Sequence, residues 1–130
     1  MTLIEYPEPY AVVSLLPTNE VPGWANYGRF TSITRAPDEL SVICQERYIP
    51  PEQPAESGWY LIGCQGPLSF SAVGILAKIT AVLADAGIPI LTVATYNTDY
   101  ILTRNPNVAR DTLQKAGYEV IRASASETNN

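Results

Sequence analysis

The chain has 130 residues, 46% of them apolar and 16% charged, with a net charge of −5 and no histidine. That is enough material for one compact domain or two very small ones. The negative charge argues against nucleic acid and anionic membrane as partners. Without histidine there is no Ser-His or Cys-His nucleophile pair, and most catalytic zinc chemistry is lost. There is no run of roughly 18 apolar residues for a membrane helix, and no basic, secretory-type amino terminus. The expectation is a non-enzymatic cytoplasmic protein with no cofactor, no metal and no catalytic residue.

In chain order, Tyr10–Leu16 reads as a buried strand closed by Pro17. A single helical turn is expected near Pro22–Tyr27. Arg29–Thr34 alternates polar and apolar residues as a half-buried strand does. A turn at Arg35–Asp38 leads to a third strand at Glu39–Gln45. Pro50, Pro51 and Pro54 make residues 46–58 read as an exposed linker. Trp59–Gln65 is the next strand. Cys44 and Cys64 lie in strand-like stretches, as two buried small hydrophobes or, if their strands pair, as a disulfide. Trp24, Trp59 and the eight tyrosines are expected as core or interface anchors.

The most informative stretch runs from Gly66 to Leu102. Val73, Leu76, Ile79, Val82, Leu83 and Ala86 recur at intervals of three and four, the mark of an amphipathic helix over about 72–86. Ser69 and Ser71 suit its N-cap, Gly87 its C-cap, and Pro89 stops it. Ile90–Thr95 is a β-branched strand, residues 96–99 are turn chemistry, and Tyr100–Leu102 opens another strand. A second helix over Asn107–Ala116 follows Pro106, with Val108, Leu113 and Ala116 inward and Gly117 at its end. Tyr118–Ile121 is a closing strand. The order from Trp59 onward is β-α-β-β-α-β, a ferredoxin-like layout.

An internal repeat matches Ser32–Ile43 to Val93–Leu102, pairing Thr34 with Thr95, Asp38 with Asp99 and Leu40 with Ile101. Aspartate in a turn is also common without any repeat. The expected architecture is α+β: two βαββαβ modules, antiparallel sheets with helices on one face, the first module reduced. Residues 1–57 would hold that module and the linker, 58–123 the complete module, and 124–130 a disordered tail.

The segments GPLSFSAVGILA and TYNTDYIL, with FTSITRAPDELSVIC before them, resemble the ACT-domain family. More narrowly they resemble small tandem-ACT proteins related to aspartate-kinase regulatory regions and to the CASTOR-type arginine sensors. The resemblance spans roughly residues 10–118. It implies ACT-like modules that bind a small molecule, commonly an amino acid, where modules meet. The partners it implies are an amino-acid ligand, a second copy in a homodimer, and a regulated enzyme or signalling protein.

Two site elements follow. Free backbone N–H groups at the helix start, Phe70, Ser71, Val73, Gly74 and Ile75, would receive a carboxylate. Gly74 would allow close approach there, or else close helix–sheet packing. Asp99, with Thr95, Tyr96 and Asn97, would bind an α-ammonium group or a basic side chain; related arginine sensors carry an acidic residue at the position matching Asp99. The other reading of Asp99 is a structural turn residue. For the whole chain, the other reading is a ligand-free protein–protein interaction or dimerisation module of the same fold.

Overall fold

The structure is a computed structural model and describes residues 1–65 and 74–125. Its strands are β1 (Thr2–Leu15), β2 (Ser32–Arg35), β3 (Leu40–Gln45), β4 (Glu56–Cys64), β5 (Ile90–Ala94), β6 (Asp99–Thr103) and β7 (Glu119–Arg122). The helices are α1 (Ile75–Asp85) and α2 (Pro106–Lys115), with short 3-10 turns at Gly23–Asn26 and Glu46–Tyr48. The fold is a sheet-dominated α+β arrangement. The described residues fall into two compact units, one of Met1–Pro7 with Trp59–Ala125, the other of Glu8–Gly58.

The first unit follows the expected β-α-β-β-α-β order from β4 to β7, but its sheet is not wholly antiparallel. Strand order is β7–β1–β4–β6–β5. Thr2–Glu5 pairs in parallel with Glu119–Arg122, while β4–β6 and β5–β6 are antiparallel. The backbone N–H of Gln65 donates to the Thr2 carbonyl (3.0 Å). The sequence reading starts its first strand at Tyr10, whereas β1 begins at Thr2 and runs through Pro7 and Pro9. Proline has no N–H to give to a ladder. Both prolines lie outside the registers of β1, Thr2–Glu5 with β7 and Tyr10–Leu15 with β3, so neither ladder loses a bond at them.

Both helices pack on one face of this sheet. Leu3, Ile62, Cys64 and Ile101 from the strands meet Ile79 and Leu83 of α1 and Ala109 and Leu113 of α2 in one buried cluster. Removing the Leu83 side chain to alanine there costs about 2–5 kcal/mol by general experience with such sites. The α1 stripe holds in part: Leu76 and Val82 pack against the cluster, whereas Ala86 is exposed and Val73 lies outside the described residues. On α2 the inward phase is Ala109 and Leu113. Val108 is 53% exposed and Ala116 is exposed, one position off the expected stripe. Gly87 ends α1 as expected, at φ +74°, with the Ile88 N–H bonded back to the Leu83 carbonyl (3.1 Å).

In the second unit β3 lies between β2 and the Tyr10–Leu15 part of β1, all antiparallel. Val13, Ala25, Val42 and Cys44 form its core, with Leu15, Trp24 and Ile49 packed against it. The 3-10 turn at Gly23–Asn26 falls where the sequence places a helical turn. Residues 46–58, read as an exposed linker, are folded over much of their length. Ile49 reaches the core, and the Glu46 carboxylate accepts the Gly58 N–H (2.7 Å).

The two β-hairpins of the repeat do match, in a different register. Arg35 pairs with Leu40 and Ala94 with Asp99, and each four-residue turn closes with the same bond, Ala36 N–H to the Glu39 carbonyl and Thr95 N–H to the Thr98 carbonyl. Asp38 therefore corresponds to Asn97, and Asp99 to Leu40. Asp99 opens strand β6 instead of closing a turn.

Candidate functional site

The β5–β6 turn is tightly pinned. The Thr95 hydroxyl donates to the Thr98 carbonyl (2.9 Å) and accepts the Thr98 N–H (3.3 Å). The Thr98 hydroxyl donates to the Cys64 carbonyl at the end of β4 (2.8 Å). Tyr96 stands at the tip, 80% exposed, and Thr95 is exposed beside it. Asn97, the next expected site residue, is exposed as well.

Asp99 is placed differently. Side chains alternate along a strand, and Ile101 lies in the helix-packed cluster, so Asp99 shares the helix face. Gly63 pairs with Tyr100, which sets Cys64 beside Asp99. The Cys64 thiol is held at about 11 by burial first and by the Asp99 charge second. Asp99 is half-buried, and its carboxylate makes no hydrogen bond or ion pair among the described residues.

The chain leaves β4 at this same end of the unit on its way to α1. Gly74 occupies the N-cap position at φ +80°, a left-handed conformation that favours glycine. It has no side chain to cap the helix, and no acidic residue sits in the first turn. Gly74 and Ile75 open α1, and Asp99 opens β6. Phe70, Ser71 and Val73, and the expected N-caps Ser69 and Ser71, lie outside the described residues.

On the other face of the strands lies an open pocket of about 370 Å³, lined by Ile4, Tyr6, Gly63, Cys64, Gln65, Asn97, Thr98 and Tyr100. Asn97 is the one expected site residue it includes. The sequence reading missed the rest because its signal is long-range: the alternation of Ile4 and Tyr6 sits ahead of two prolines, and Gly63 looks like an ordinary strand glycine. Among the described residues no group of three acidic or cysteine side chains could hold a metal ion, and no helix is long and apolar enough to cross a membrane. Both cysteines are free and buried.

The ACT-domain family model matches residues 55–110, and a model of an N-terminal domain matches residues 8–52. Among solved structures, protein Atu0741 from Agobacterium tumefaciens is similar at TM-score 0.89 and 31% identity, over 98% of this chain and 97% of that one. Protein VC0802 from Vibrio cholerae, a protein of unknown function described as a possible transport protein, is similar at TM-score 0.72 and 18% identity, over 88% of each chain. Aspartate kinase from Synechocystis is similar at TM-score 0.63 and 17% identity, over 98% of this chain but 28% of the kinase. These two lower identities show likeness of fold. No curated protein matches the chain.

Proposed function

The chain belongs to one family with the Agobacterium tumefaciens protein, and because its residues 55–110 match the ACT domain we propose that it is a non-catalytic regulatory module that binds an amino acid. The fold likeness to aspartate kinase fits this reading. The observation that carries it is Asp99. A half-buried carboxylate with no described partner is suited to an ammonium or guanidinium group, because a charge-assisted hydrogen bond there offsets its partial desolvation.

Gly74 and Ile75, at an α1 start with no side-chain cap and no acidic residue, would meet the ligand carboxylate through backbone N–H groups and the positive end of the helix dipole. Phe70, Ser71 and Val73 complete that half of the site in this proposal, with Thr95 on the other side. The regulated enzyme or signalling protein that reads the bound state would be a separate partner.

Melting temperature measured against the twenty amino acids, one at a time at millimolar concentration, tests the proposal. Ligand at roughly 100 times its dissociation constant adds about 2.7 kcal/mol, a shift of several degrees in a domain of this size. One amino acid should give that shift, and Asp99→Ala should remove it. No shift from any of them rejects the reading.

The second reading, a dimerisation module, is favoured by β2. It is an edge strand, largely exposed, with Ile33 38% accessible. Such an edge offers unpaired backbone groups to a second copy. A concentration-dependent dimer in sedimentation, unchanged by every amino acid, would favour it.

A further inference from the structure

We propose that the pocket on the face opposite the helices is a second binding site, for a small, uncharged, flat heteroaromatic ring. The pocket belongs to the face away from the core. Ile4 and Tyr6 alternate along β1 with Leu3, Gly63 along β4 with Ile62 and Cys64, and Tyr100 along β6 with Ile101. Asp99 lies on the helix side of the same strand, so the amino-acid site proposed above and this pocket use opposite faces.

Gly63 forms the floor. A Cβ there would come within 3.0 Å of Tyr100 Cε1 and 3.5 Å of Tyr6 Cε2, so two phenol rings reach the space above one glycine. Seating Tyr100 against its cross-strand partner Gly63 accounts for one ring. It does not account for the second ring on β1, nor for the polar rim of Gln65, Asn97 and Thr98. The Thr98 hydroxyl is already given to the Cys64 carbonyl, which leaves the two carboxamides as the rim's donors and acceptors.

The described residues lining the pocket include no Asp, Glu, Lys or Arg. A charged ligand would gain no ion pair here and would lose hydration. Aromatic walls favour a flat ring by offset or edge-on packing. Carboxamides each present one acceptor and two donors, matching a ring that carries an amide or ring nitrogens. The volume of about 370 Å³ falls at the small end of the range for ligand pockets, roughly 300–1,000 Å³.

Adenine and nicotinamide, titrated separately into the full chain and followed by backbone amide NMR shifts, test the proposal. The expected result is saturable change at Gly63, Gln65, Asn97 and Tyr100 with at least one of them. Asn97→Ala, a change at an exposed position, should weaken binding about fivefold, the usual consequence of losing one hydrogen bond. Tyr6→Leu should weaken it further, and if that variant does not fold, Asn97→Ala decides alone. Asp99→Asn should leave ring binding unchanged. Absence of saturable change with both probes, or changes confined to Gly74, Ile75 and Asp99, or affinity untouched by Asn97→Ala, overturns the proposal. None of these results depends on whether an amino acid binds at Asp99.

Discussion

Cys64 reports directly on the residue at the centre of the proposed site. Its thiol is pushed up to about 11, by burial and then by the charge of Asp99, whereas burial alone holds Cys44 at about 11. A thiol raised in the folded state keeps its proton there after the unfolded chain has begun to lose it. The stability from this source is complete below the ordinary value of 9.0 and is lost as pH rises through about 11. Urea unfolding across that window should show stability falling with pH. In Asp99→Asn, ultraviolet titration of the thiolate should find Cys64 ionising at lower pH than in the parent, yet still above the ordinary value because burial remains. An unmoved Cys64 would mean that Asp99 exerts no field at the thiol. At this scale the sequence made Asp99 conspicuous as an acidic residue near a turn. Its place at the start of β6, and so its company, depended on a register two residues away from the one the repeat suggested.

At the scale of elements, one carboxylate ties three of them together. Glu5 on β1 is 3% exposed and accepts two hydrogen bonds from Arg110 Nη1 on α2, at 2.9 and 3.1 Å. Arg122 Nε on β7 stands 3.6 Å from Glu5 Oε2, and the Asn107 side-chain carbonyl accepts a hydrogen bond from Arg110 Nη2 (3.1 Å). A buried ion pair adds modest net stability, but removing one partner is expensive because the other charge is left behind. Arg110 keeps 29% of its side chain accessible, so water can take up part of the loss. Glu5→Gln should therefore destabilise the protein by about 2 kcal/mol, below the range for fully enclosed pairs. The check is the urea midpoint at neutral pH, with the denaturant slope unchanged. Periodicity made the helices legible, since Ile79 and Leu83 or Ala109 and Leu113 need only i, i+4 spacing. The Glu5–Arg110 clamp was not legible, because nothing local links residues so far apart.

For the molecule as a whole, the decisive segment is the one the sequence reading passed over. Met1–Pro7 belongs to the compact unit of Trp59–Ala125. Its strand pairs with β7, sits next to β4 in the sheet, and adds Leu3 to the core. A fragment of residues 59–125 should therefore fail to fold, showing little near-ultraviolet circular dichroism and no cooperative unfolding. The full chain should show both. A stable, cooperative fragment would mean that β7 can pair directly with β4 and that the amino-terminal strand is dispensable.

The sequence by itself determined the elements whose signals are local: two amphipathic helices, the glycine that ends α1, the presence of two hairpin turns though not their bounds, and the β-α-β-β-α-β order. It also carried the resemblance to the ACT domain, whose family model matches residues 55–110. Only the tertiary structure decided that Thr2–Glu5 is a strand, that the sheet is mixed, that Asp99 faces the helices, and that Tyr6 and Tyr100 share a glycine floor. Local elements are written in spacings of two to four residues, which side-chain periodicity and backbone sterics impose on any chain. Strand partners and pocket walls come from distant segments, and their choice is settled by which combination buries the most apolar surface with its backbone bonds satisfied.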